Sequence, residues 1–226
     1  MFKLTPEEIL IIENNKDSLK VNDFDKFYEH AEISRYNMST SHKYYSINLY
    51  DFSKFFNQCG IEVATNLTRT WPSMFWDDTL TYPVSVDAPY VHSYFMRRMI
   101  LENSLTVDTG LLKPYSFVEC VLNSSTVINS EALELTALDE CEFKDLQLSI
   151  NGLYTVANSI VNCKFDNLII TLLSDSTLNP DTFYKCTITK SCSVIGPADE
   201  KDNIVNILQK SCDSSSTFYF NNERLW

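Results

Sequence analysis

Residue types that could do chemistry are few in this chain, and most lack the company that chemistry needs. Glu131, Glu134, Asp139, Glu140, Glu142 and Asp145 fall within 15 residues. Paired carboxylates can share acid and base roles when a pocket sets one of them apart, but a dense acidic run with no pocket-forming motif around it is the ordinary pattern of solvated charge. The 3 histidines, His30, His42 and His92, are scattered. His30-Ala31-Glu32 has the H-x-E spacing of zinc deaminases, yet the P-C-x-x-C element that supplies the remaining ligands is missing. Cys186 and Cys192 lack the further ligands of a zinc site. The 4 glycines, Gly60, Gly110, Gly152 and Gly196, are isolated, so there is neither a phosphate-cradling loop nor a dinucleotide fingerprint. No G-x-S-x-G nucleophile turn occurs. The expectation is a protein that is not an enzyme and carries no cofactor and no metal.

What positions these residues is a repeat. The phrases FVEC at 117–120, LDEC at 138–141, IVNC at 160–163 and FYKC at 183–186 share one frame. With the cysteine as slot zero, the residue three before it is Phe117, Leu138, Ile160 or Phe183. The residue two after it is Leu122, Phe143, Phe165 or Ile188. Extending the frame upstream gives Phe95 with Arg98 in the slot and Ile100 after it, then Phe75 with Asp78 and Leu80. The slots at 78, 98, 120, 141, 163 and 186 lie 20 to 23 residues apart, which matches one coil of a solenoid whose units bury apolar edges against their neighbours. Eight residues before the slots run Tyr90, Leu112, Leu133, Thr155 and Leu178. LQLSI at 146–150 and LIITLL at 168–173 have strand composition and alternation, so the frame predicts one strand per coil, stacked in parallel.

Three regions follow. Residues 1–70 predict a helical cap. Thr5-Pro6-Glu7-Glu8 is a helix start, Asn22-Asp23 starts a second helix with Phe24, Phe27, Tyr28 and Ala31 on one face, and a third spans about 48–58 before Gly60. Residues 71–196 form the solenoid. Residues 197–226 predict a smaller C-terminal cap, a helix over 199–210 burying Ile204, Ile207 and Leu208, then a strand over 216–220. Caps are needed because a bare end coil exposes its apolar interior and an unpaired strand edge. The fold class is therefore α+β, a parallel-strand solenoid with a helical cap before it and a small cap after it.

Of 7 cysteines in 226 residues, 4 occupy the repeat slot. An odd number without C-x-x-C pairs argues against a disulfide framework, so the slot cysteines are expected as small buried hydrophobes. No run approaches the ~18 apolar residues of a membrane span, and the N-terminus lacks the features of a secretion signal. Asn37, Asn66 and Asn123 begin N-x-S/T triplets, read as chance occurrences in a chain rich in Asn and Ser. The formal charge is −12 overall. Residues 1–70 hold 10 acids and 8 bases, leaving 20 acids and 10 bases for the rest. Such a surface repels nucleic-acid phosphates and attracts basic protein surfaces.

Ser116-Phe117-Val118-Glu119-Cys120, Ala137-Leu138-Asp139-Glu140-Cys141 and Thr182-Phe183-Tyr184-Lys185-Cys186 resemble the Ala-Phe-x-x-Cys phrase of BspA-type leucine-rich repeats. Cys59-Gly60-Ile61 followed by Trp71-Pro72-Ser73-Met74-Phe75 resembles the lead-in of such proteins from bacteriophage genomes. The resemblance covers residues 47–196, with most glycine and proline turn positions lost and no cysteine in the first two copies. It implies a horseshoe or shallow arc used for binding, with no catalytic residues. CEFKDLQL at 141–148 and CKFDNLII at 163–170 also look like pentapeptide repeats, a right-handed β-helix family whose acidic members imitate duplex DNA. Their five-residue period lasts two steps per copy, whereas the period near 22 spans six slots.

If the positions two and five past each cysteine face inward, Asp145, Gln147 and Ser149 face outward on one strand and Asn167, Ile169 and Thr171 on the next. With Glu140 and Glu142 they form the candidate partner-binding set. The functional expectation is a non-catalytic acidic repeat that binds a protein, a host protein if the phage resemblance holds, with no direct nucleic-acid or membrane contact and no oligomeric state specified. The alternatives are a structural component of a virion and an acidic DNA mimic that blocks a nucleic-acid enzyme. The expected location is a cytoplasm, the host's for a phage protein, or a virion.

Overall fold

A computed structural model describes residues 65–226 apart from 68–69, 71–74, 78, 81–82, 153–154 and 174–175. The three helices expected over residues 1–70 lie outside the described residues. The described chain winds as a parallel β-solenoid. Its long strands, Val84–Val91, Leu105–Leu112, Val121–Leu133, Glu142–Ile150, Lys164–Leu172 and Thr187–Ile195, pair in chain order within an 11-stranded sheet. A second sheet of 6 two-residue strands runs alongside it: Phe75–Trp76, Met96–Arg97, Phe117–Val118, Leu138–Asp139, Ile160–Val161 and Phe183–Tyr184. Each coil thus carries a long strand and a short one, and the first two add a further two-residue strand, Thr79–Leu80 and Ile100–Leu101, where the repeat frame predicted one strand per coil.

The second strand arises because the chain turns twice within a few residues. Left-handed backbone occurs one residue before the slot at Asp77, Arg98, Glu119, Glu140, Asn162 and Lys185, with φ between 51° and 57°. It occurs again four residues earlier at Tyr94, Tyr115, Thr136 and Asn158. Non-glycine residues adopt this region at a cost of roughly 1–2 kcal/mol each. Bonds between coils offset that cost. The Glu119 N–H donates to Asp139 O at 2.9 Å and Glu140 N–H to Val161 O at 3.0 Å, and Tyr115 N–H donates to Thr136 O at 2.7 Å. The residue just before a short strand, Phe95, Ser116, Ala137, Ser159 or Thr182, is fully buried, and Ser116 donates its hydroxyl to Lys113 O at 2.8 Å. Backbone groups that a sharp corner would orphan are paired instead.

Strand pairing corrects the sequence frame in its second copy. Met96, not Phe95, pairs with both Phe75 and Phe117, and Leu101 pairs with both Leu80 and Leu122. The slot there is Met99, fully buried, and Arg98 occupies the exposed left-handed corner. The series eight residues before the slot then begins at Val91 rather than Tyr90, since Val91 pairs with Leu112 and is fully buried. Phe95 also packs inside, edge to face with Phe75 at 5.4 Å and with Phe117 at 5.7 Å.

Inward rows cross the coils without interruption. Val86, Val107, Ile128, Leu148, Ile170, Val194 and Phe220 pair in succession and are buried. The four slot cysteines are buried and unbridged. At the C-terminal end, helix Lys201–Gln209 buries Ile204, Ile207 and Leu208, preceded by a 3-10 turn at Ala198–Glu200. Strand Thr217–Phe220 adds in parallel to the last long strand, and Glu223–Arg224 pairs antiparallel against it. The reversal ends the parallel series with a short charged strand, a common protection for a sheet edge. Among the described residues no helix is long and apolar enough to cross a membrane.

Candidate binding face

Period-2 alternation turns every second residue of a long strand away from the core. Because the coils are in register, outward residues line up as rows across strands. One row is Ser85, Thr106, Val127, Gln147, Ile169, Ser193 and Tyr219. The next is Asp87, Asp108, Asn129, Ser149, Thr171 and Ile195. A third holds Ser125, Asp145, Asn167, Ser191 and Thr217. These rows contain carboxylates and neither Lys nor Arg.

The face is graded along the solenoid. Toward its N-terminal coils Asp87 and Asp108 are exposed neighbours on adjacent strands. With Glu131, Thr109, Gly110 and Asn151 they line an open depression of about 240 Å³. Two features shape it. Pro89 and Gly110 contribute little or no side chain to its floor, and a Cβ on Gly110 would lie 3.0 Å from Pro89 O. Behind Glu131, Gly152 passes so close that an added Cβ would stand 1.8 Å from Glu131 O. Like charges directly opposite one another on a sheet are unfavourable, so this arrangement works against stability until a cation approaches. Toward the C-terminal coils the carboxylates give way to Ser and Thr, and exposed apolar side chains enter, with Ile169 39%, Ile195 46% and Leu173 50% exposed.

The structure sorts the residues that the sequence singled out. Gln147 and Ile169 are exposed neighbours, and Ser149 and Thr171 pair beside them, half-buried. Asp145 and Asn167 are paired and engaged with each other: Asn167 Nδ2 donates to Asp145 Oδ1 at 2.7 Å, and Ser191 Oγ donates to Asn167 Oδ1 at 2.8 Å. Glu140 does not belong to the face, since it occupies the corner between the two sheets. Glu142 opens a long strand next to Lys164 of the following coil, which dilutes its charge.

The six-acid cluster of the sequence is dispersed around the coil. Glu131 lines the depression, Asp139 lies on the short sheet, and Glu140 is at the corner. Burial, with Glu140 beside it, holds the Asp139 carboxyl above the usual range, against the Asn162 side chain that hydrogen-bonds it. Asp166 has its own partners: the Lys190 ammonium, donating at 2.6 Å, and the Thr189 hydroxyl, donating at 2.8 Å, hold its carboxyl below the usual range.

Asp87 and Asp108 were missed by sequence reasoning. Their separation of one coil is the signal that could have found them, because equal position in consecutive coils means adjacency in space. Among the described residues no group of three or more His, Cys, Asp or Glu side chains is placed to hold a metal ion. His92 meets Thr70 and Tyr90 instead, with its ring held below the usual imidazole value by burial and by Lys113. Comparison with known proteins found no matching family model, no matching curated protein and no matching solved structure.

Proposed function

We propose that this chain is a non-catalytic binding protein whose outward long-strand face engages a basic surface on a partner protein. The observation that carries the reading is the set of outward rows, which hold Asp87, Asp108, Asn129 and Asp145 with no intervening Lys or Arg. A flat face of in-register strands suits an extended contact, with the acidic end steering the encounter and the apolar end of Ile169, Ile195 and Leu173 supplying buried area. Acid and base catalysis is disfavoured because the carboxylates stand in the open rather than in an enclosed site that sets them apart.

The test is affinity capture from a lysate with the wild-type chain and a D87N/D108N/E131Q variant, at low and moderate salt. The expected result is one stoichiometric protein, held at low salt, weakened as screening shortens the range of the charges, and lost in the variant. Equal capture by both chains, or no capture at low salt, overturns the reading.

A further inference from the structure

The slot cysteines make a ladder that the binding reading leaves unused. Cys120, Cys141, Cys163 and Cys186 occupy one position in four successive coils, and all are unbridged. Around the last two, Ile160 pairs with Phe183 and Lys164 with Thr187, so Cys163 and Cys186 are in register from both sides. Strands so paired lie about 4.8 Å apart, inside the ~4.4–6.8 Å between Cα atoms that a disulfide spans. The Cys120, Cys141 and Cys163 thiols each donate to the carbonyl two residues back, at 3.2–3.3 Å, and the Cys186 thiol donates to Ile160 O at 3.4 Å, with Tyr184 O at 3.6 Å.

The ladder has an open end. The short sheet stops at Phe183–Tyr184, and Cys186 is 7% exposed against 0–1% for the other three. We propose that Cys163 and Cys186 form a reversible disulfide site that reacts with hydrogen peroxide.

Cys186 takes the first step. It is the most exposed of the four and stands at the end of the ladder; the neighbouring Cys163 thiol holds it below the ordinary value, while burial pushes the Cys120 and Cys141 thiols up. Its thiolate attacks one peroxide oxygen, the O–O bond breaks, and the departing hydroxide takes up a proton, leaving a sulfenic acid. The Cys163 sulfur then attacks that sulfur, the S–O bond breaks, and the Cys163 proton leaves with the hydroxide as water. Two thiols are oxidised and one peroxide is reduced to two waters. Side chains in register on parallel strands start farther apart at Cβ than a relaxed disulfide prefers, about 3.8 Å. The bond therefore forms under strain and is readily reduced.

The rival pair is Cys192 and Cys212, of which Cys212 is the more accessible. Its backbone is out of step, however, because Cys212 bridges to Ile188 while Cys192 pairs with Phe218.

The experiment titrates the full chain, freed of reductant, with hydrogen peroxide, then alkylates it and maps the peptides without reduction. The expected product is a 163–186 linkage in most molecules, removed by dithiothreitol. In Cys163→Ser the sulfenic acid of Cys186 is trapped by dimedone, and in Cys186→Ser Cys163 remains alkylatable. A 192–212 linkage with Cys163 and Cys186 both still alkylatable overturns the proposal, as does a chain whose thiols all survive. The wild-type map decides by itself if either variant fails to fold.

Discussion

At the residue scale, the coil depends on side chains standing in left-handed backbone where glycine would ordinarily be found. Glu140, at φ 52°, is the clearest case, because it is exposed and its corner is held through its backbone N–H, which donates to Val161 O. Relief of its backbone strain exceeds the added entropy of an unfolded glycine. Glu140→Gly is expected to stabilise the chain by up to about 1 kcal/mol, whereas Glu142→Gly, within a strand, loses about 0.5–1 kcal/mol. Denaturant midpoints of the two variants check the contrast. These corners were illegible in the sequence, since Arg, Glu, Asn and Lys at that position carry no common turn chemistry. The backbone bonds between coils select the conformation there.

The buried thiols make a second prediction at this scale. Burial raises the Cys120, Cys141 and Cys163 thiols, and contact with Cys212 together with burial raises Cys192. A raised thiol keeps a proton that the unfolded chain releases, so its contribution is complete below the ordinary value near 9.0 and is lost above it. Cys186 and Cys212, held low, act in the opposite sense. The low pair acts below about pH 9, where the folded chain releases protons that the unfolded chain keeps, and the four raised thiols act above it, so reduced protein should gain a little stability as pH rises toward 9 and lose it above about pH 9. Each raised thiol contributes up to about 1.4 kcal/mol per pH unit. Cys141→Ala should make the fall shallower in denaturant titrations across that range, and an unchanged slope contradicts the assignment.

At the element scale, the repeat was legible because an apolar residue recurs three before and two after each slot, and the stacked coils require both. The slip at Phe95-Met96 has a physical reason. Both residues are apolar and both are buried, so hydrophobic pattern alone fits either frame, and only strand pairing shows which one carries the row. The corrected frame predicts opposite outcomes for neighbours. Met99→Ala removes a fully buried side chain and should cost about 2–5 kcal/mol. Arg98→Ala removes an exposed partner of Asp77 that lies over the Trp76 ring at 5.6 Å, and should cost about 1 kcal/mol or less. Equal losses in thermal or chemical unfolding would restore the original frame. The C-terminal helix was legible for the same reason as the repeat, since Ile204, Ile207 and Leu208 recur at helical spacing and are the residues it buries.

At the scale of the whole molecule, the winding decides which charges meet. Six acids crowded in sequence are carried around one coil to different faces, while Asp87 and Asp108, 21 residues apart, become neighbours. Outward and inward positions on Glu142–Ile150 and Lys164–Leu172 were legible from alternation. The composition of the complete face was not, because it requires the register of every coil at once. The reading rests on that face meeting a basic partner. The most direct measurement is carbodiimide labelling of carboxylates with the captured partner bound and absent, read by mass spectrometry. The account predicts that Asp87, Asp108 and Glu131 are protected on binding while Glu119 and Glu140, at the corner between the sheets, label as before. Protection at the corner with none on the outward rows would contradict it.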